Sequence, residues 1–123
     1  MIRQTAAALL LAGSVAPAKA GQPIGESMVA CGALYSVAAE WVSPGSAAER
    51  LTQAAEVWAA AAYTRAEREG RSDPRVWVSD LWRSKCNDWS EKGTAYVFSQ
   101  DFRDWTAYCR ALARHEGLET GSR

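Results

Sequence analysis

The sequence predicts an all-α fold, a small antiparallel up-down four-helix bundle linked by a disulfide. Three observations carry that expectation. Apolar residues recur at three- and four-residue steps, most clearly over residues 101–117, DFRDWTAYCRALARHEG, where Phe102, Trp105, Cys109, Leu112 and Ala113 form one stripe. Proline, glycine and capping residues then divide the chain at intervals that leave only short connectors, so that successive helices must pack side by side in opposite directions. Finally, three cysteines fall inside the helical segments of a chain whose start reads as an export signal.

That start is Arg3, an uncharged run rich in Ala and Leu, and then Ala18, Lys19 and Ala20. A basic residue, a short apolar run and an A-x-A ending make residues 1–20 a secretory signal peptide, with Gly21 first in the mature chain. The run is shorter than the roughly 20 apolar residues of a stable membrane span, and the mature form is expected to contain none. Cleavage removes Arg3 and Lys19 from a chain of 14 basic and 14 acidic residues, leaving a slight negative excess. No basic patch for nucleic acid remains. Residues 21–117 are enough for one small domain with one core.

The first helix is expected over residues 24–42, with Ile24, Met28, Cys31, Tyr35, Ala38 and Val42 on one face and Glu40 opposite. Ser43, Pro44 and Gly45 break it. Ser46 and Glu49 have the spacing of a capping box, which starts the second helix. Its inner face is Leu51, Ala54, Ala55, Trp58, Ala61 and Ala62, and its charged end runs to Gly70. Asp73 followed by Pro74 reads as an N-cap with proline at the first helical position.

The third helix is less regular. Val78, Leu81, Trp82, Trp89 and Tyr96 share an arc, but Lys85 falls within it. Residues 76–78 alone could pass for a strand, yet no partner strand exists, so helix is expected. The chain turns between Gly93 and Asp101, with Ser99 or Asp101 as the next cap. In the fourth helix Arg110, Arg114 and His115 suit the exposed carbonyls of the last turns, and Gly117 supplies the stop. Residues 118–123 are read as a disordered tail.

Measured from the turns at 1.5 Å per residue, Cys31, Cys86 and Cys109 lie at about the same height in the bundle. Height alone does not select a pair. Cys31 and Cys109 are central to their stripes while Cys86 flanks its arc, which favours a Cys31–Cys109 bridge and leaves Cys86 as a free thiol. The alternative is Cys86–Cys109.

Site chemistry is sparse. No C-x-x-C pair accompanies His115, the sole histidine, so no metal site is expected. A nucleophilic Cys86 would have Asp88 nearby, which opposes a thiolate. Glu40, Glu49, Glu56, Asp80 and Asp104 fall on outward faces, and no serine-hydrolase motif is present. In overall plan the chain resembles the periplasmic four-helix b-type cytochromes, with a methionine early in the first helix and a histidine late in the fourth. That resemblance implies haem held between Met28 and His115.

Six tryptophans complete the picture. Trp58, Trp82, Trp89 and Trp105 are expected to fill a core short of large aliphatics, whereas Trp41 and Trp77 are harder to place inside and become the candidate partner-binding residues. The leading expectation is an exported, periplasmic or secreted protein without catalytic residues or cofactor. It would bind another exported protein or a cell-envelope component, as an inhibitor, an immunity-type antagonist or an accessory subunit. A haem-carrying bundle is the alternative, and a small cell-envelope hydrolase the third reading.

Overall fold

The computed structural model describes residues 22–121; the segment read as a signal peptide lies outside them. Four helices follow one another: α1 (Ile24–Trp41), α2 (Ser46–Arg68), α3 (Pro74–Ser90) and α4 (Gln100–Glu116), with a 3-10 turn over Thr94–Phe98 between α3 and α4. They pack as an antiparallel, up-down, disulfide-linked bundle.

The ends of these helices follow local chemistry. Asp73 Oδ1 accepts the Val76 amide at 3.3 Å, with Pro74 next in the chain, where its missing N–H costs nothing. Ser99 Oγ accepts the Phe102 amide at 3.0 Å and opens α4. Gly117, at φ 71°, closes that helix in the left-handed region, and the Leu118 amide returns to the Ala113 carbonyl at 2.8 Å. Past Gly117, Leu118 packs against the core, and residues 122–123 of the expected tail lie outside the described residues. The expected capping box at Ser46 does not form. Gly45, at φ 141°, takes the N-cap position instead, so Ser46 is already helical and its side chain accepts no capping bond.

α1 departs from the sequence expectation in a way that organises the molecule. A one-sided stripe was expected, but the helix is buried on nearly all sides from Gly25 to Ala39, with Ser36 and Glu26 partly exposed. Two apolar clusters use its opposite faces. The first holds Met28, Cys31, Tyr35, Trp58, Ala62, Cys109 and Leu112; the second holds Ala33, Leu34, Val37, Trp89 and Tyr96. The physical reason is size. Gly25, Ser27, Ala30, Gly32, Ala33, Ala38 and Ala39 give α1 a thin profile, so that α2, α3 and α4 all approach it.

Gly32 marks the tightest point. A Cβ built there would stand 2.8 Å from Trp58 Cβ and closer still to the Trp82 ring. Trp58 is wholly buried, Trp89 is 6% exposed, and Trp82 and Trp105 pack partly buried against the clusters. Trp89 donates its indole N–H to the Ala30 carbonyl at 3.1 Å, which meets the polar requirement of a buried indole. Lys85, the residue that interrupts the arc of α3, reaches Glu26 of α1 at 3.4 Å.

α4 is held to α1 by the Cys31–Cys109 bridge, whose Cα atoms are 5.7 Å apart and 78 residues apart in sequence. Both cysteines are fully buried. Nearby, Tyr108 donates its hydroxyl to Ser27 Oγ at 3.0 Å, which satisfies the buried serine. Arg65 of α2 pairs with Glu116 at 2.8 Å across the far end.

Two outcomes follow from this packing. The double variant Cys31→Ala, Cys109→Ala should lose up to about 4–5 kcal/mol in urea unfolding, the loop-closure entropy of so long a loop, whereas Cys86→Ala should lose much less. Gly32→Ala should cost about 1–3 kcal/mol by overpacking, seen as a lower urea midpoint and an altered near-ultraviolet tryptophan signal.

Candidate binding surface

Trp41 is the last residue of α1. It is half-buried, with its ring edge-on to Tyr96 at 6.1 Å and 69°. Tyr96 in turn lies 6.0 Å from Trp89 and 5.7 Å from Phe102, Trp89 lies 5.2 Å from Trp105, and Trp105 lies 5.8 Å from Tyr108. One chain of ring contacts therefore runs from the end of α1 through the 3-10 turn and α3 into α4. Tyr96 donates its hydroxyl to Asp101. Burial, and then this bond to a carboxylate, pushes its pKa far above the ordinary tyrosine value.

Trp77 sits near the start of α3 and packs against the first cluster, not the second. The guanidinium of Arg71 lies 3.8 Å from its ring centroid and covers that face. The two candidate tryptophans thus belong to separate parts of the core, and the structure does not bring them together. Each has exposed apolar neighbours in sequence or nearby: Val76, beside Trp77, is 50% exposed, but the Trp41 end carries two such side chains, one of them aromatic. Val42 is 37% exposed and Phe98, two residues beyond Tyr96, is 79% exposed.

Phe98 belongs to no apolar stripe, so helical periodicity does not mark it. A local signal was nonetheless present. Phe98 precedes the Ser99 cap, the position from which an apolar side chain usually folds back onto the fourth residue of the helix. Here that residue is Arg103, which donates to the Phe98 carbonyl at 3.2 Å instead of packing on the ring. The phenyl group is left standing in solvent.

The other sequence candidates are kept apart. Met28 is buried in the first cluster at 3% exposure, while the His115 side chain is 79% exposed, its Nδ1 3.1 Å from Glu116 Oε2. They do not face a common space, so they form no axial pair in this packing. Burial opposes ionisation of Glu116, but hydrogen bonds and charge from His115 and Arg65 together hold its carboxyl below the ordinary value. Cys86 is a half-buried free thiol beside the second cluster. Burial and then the charge of Glu40, rather than that of Asp88, raise its pKa. A thiol so placed stays protonated at neutral pH and is a poor nucleophile.

Glu40, Glu49, Glu56, Asp80 and Asp104 are all exposed. Among the described residues no group of three or more His, Cys, Asp and Glu side chains is arranged to hold a metal, and no helix is long and apolar enough to cross a membrane. A groove of about 750 Å³ opens between α2 and α3, with Cys86 at one end of its α3 wall. No family model, curated protein or solved structure matches the chain.

The raised Cys86 pKa has a direct consequence for reactivity. Alkylation by iodoacetamide, followed by mass, should reach half its maximal rate above the ordinary thiol value of 9.0, and Glu40→Gln should move that midpoint down. A midpoint below the ordinary value would restore Cys86 as a candidate nucleophile.

Proposed function

We propose that the protein is exported and acts without catalysis, by binding another exported macromolecule through the end of the bundle that carries Trp41, Val42 and Phe98. The observation that carries this reading is Phe98, a phenyl ring 79% exposed on a turn that is otherwise tightly bonded. Single exposed apolar residues are common on protein surfaces. An aromatic exposed to this degree, two residues from the Tyr96 ring that meets a half-buried Trp41, is the composition from which binding hot spots are made.

The remaining support is indirect. Residues 1–20 have the form of a signal peptide, and a buried disulfide suits an oxidising compartment. A raised thiol pKa and outward carboxylates offer no activated group for catalysis. An inhibitor, an immunity-type antagonist or an accessory subunit each needs a rigid surface and no reactive centre, and such a role fits these features. Trp77 is not part of the proposed surface, because Arg71 already covers it.

The test is affinity for a partner recovered by crosslinking in the cell envelope and then purified. Phe98→Asp should weaken that complex by about thirtyfold, the loss expected of a hot-spot residue, and Trp41→Ala should weaken it as well. Val76→Asp, which changes a half-exposed residue beside Trp77, should leave it intact. Unchanged affinity in Phe98→Asp, with native circular dichroism, would show that the surface lies elsewhere.

A further inference from the structure

The groove between α2 and α3 is a separate feature, and its lining differs in kind from the Phe98 end. From α2 come Ala59, Ala60 and Tyr63, little more than one turn; from α3 come Arg75, Val78, Trp82, Arg83 and Cys86, three turns. At 1.5 Å per residue the α3 wall is about 16 Å long. Its volume of about 750 Å³ falls within the usual range for small-molecule sites, which are mostly apolar with a few placed polar groups. The alanines keep the α2 wall low. Tyr63, Val78, Trp82 and Cys86 are all partly exposed, and Trp82 also packs against the core beneath.

Charge decides the polarity of an occupant. Two arginines and no carboxylate line the groove. Arg83 is already paired with Asp80 at 3.3 Å. Arg75 lies over the Tyr63 ring, 5.4 Å from its centroid, and has no carboxylate within ion-pair distance among the described residues. One end of the groove therefore offers a guanidinium held over an aromatic ring without a carboxylate partner, and the other an apolar slot ending at a half-buried thiol.

Shape decides the width. A partner helix anchors through several turns on each wall, and α2 supplies only one. A slender chain lying along α3 needs no more than that.

We propose that this groove binds a single-chain amphiphile with an anionic head, a free long-chain carboxylate, with the head on Arg75 and the tail along Val78 and Trp82 towards Cys86. The head gains a charge-assisted, two-pronged hydrogen bond that a neutral alcohol does not match. The tail covers an indole and a thiol that water now touches.

Cys86 is the free thiol in this structure, so it serves as a built-in reporter. The purified protein would be titrated with laurate below its micellar concentration, by calorimetry and by the rate of Cys86 alkylation with a maleimide. Dodecanol provides the neutral arm. Saturable binding near one laurate per chain is expected, with alkylation slowed about tenfold once about nine-tenths of the sites are covered. Arg75→Gln should weaken laurate binding by about tenfold or more, the loss of a charged hydrogen-bond partner. Ala59→Trp, which fills the groove, should abolish binding while the helical circular dichroism persists. Arg75 is exposed, so its variant tests the proposal even if Ala59→Trp fails to fold.

Three results would overturn it: an alkylation rate unmoved by laurate, protection by dodecanol equal to that by laurate, or laurate affinity unaltered in Arg75→Gln. Protection that appears without ligand as protein concentration rises would assign the groove to a second copy of the chain and also end the proposal.

Discussion

Everything in this bundle depends on α1 being thin enough to be surrounded. Most short amphipathic helices bury one stripe and leave the rest to water. α1 has no charged residue between Glu26 and Glu40, and its small side chains occur on every face. Its neighbours supply the volume it lacks. Trp58 presses from α2, while Trp82 and Trp89 approach from α3. Six tryptophans in so short a chain are thus, for the most part, the counterpart of a glycine- and alanine-rich centre: large indoles fill the space that small residues leave.

The same arrangement explains where the covalent bond sits. α1 and α2 share a long interface of alanines and Trp58, which is intimate and needs no tie. α4 reaches the centre through the Cys31–Cys109 bridge, the Tyr108 bond to Ser27, Leu112 in the first cluster and the edge-to-face contact of Trp105 with Trp89. A bridge between the first and last helices closes almost the whole domain. It therefore restricts the unfolded chain strongly while fastening the last helix to the first.

How much of this was legible beforehand depended on whether the signal was local. The Asp73 cap, the Gly117 stop and the break at Pro44 are properties of a few neighbouring residues, and they were readable; the end of α3 and the choice between Ser99 and Asp101 as the next cap stayed open, because several residues between Gly93 and Asp101 could serve. The cysteine pairing was readable too, because an inward position on a regular helix can be calculated. Periodicity gave only one face of α1, since alanine and glycine add little to an apolar stripe even where they are buried. The Lys85–Glu26 pair and the influence of Glu40 on Cys86 arise from the way α3 crosses α1, which no single segment specifies. For the candidate surface, Trp41 packs half-buried against the second cluster, as Trp82 and Trp105 do, and Trp77 is covered by an arginine from the preceding connector, neither of which a single segment specifies. Phe98 was visible only as a missing partner at a helix start.

The Phe98 end has a further property that bears on recognition. Its turn is pinned by the Ser99 cap, by the Tyr96 bond to Asp101 and by the Arg103 contact with the Phe98 carbonyl. Beneath it, the rings from Trp41 to Tyr108 form a continuous path to Ser27 and the buried bridge. An exposed ring on a mobile loop must be ordered when a partner arrives, and that ordering subtracts from affinity. Here the backbone under Phe98 is already fixed by bonds that lead into the core. A surface set in this way fits the rigid docking proposed for it, whereas the α2/α3 groove, with a cation lacking a carboxylate partner at one end, fits the slender charged molecule proposed there. The fold separates the two by construction: one lies where α1 ends and the chain turns, the other along a seam where α2 and α3 both lean on α1 and leave space between themselves.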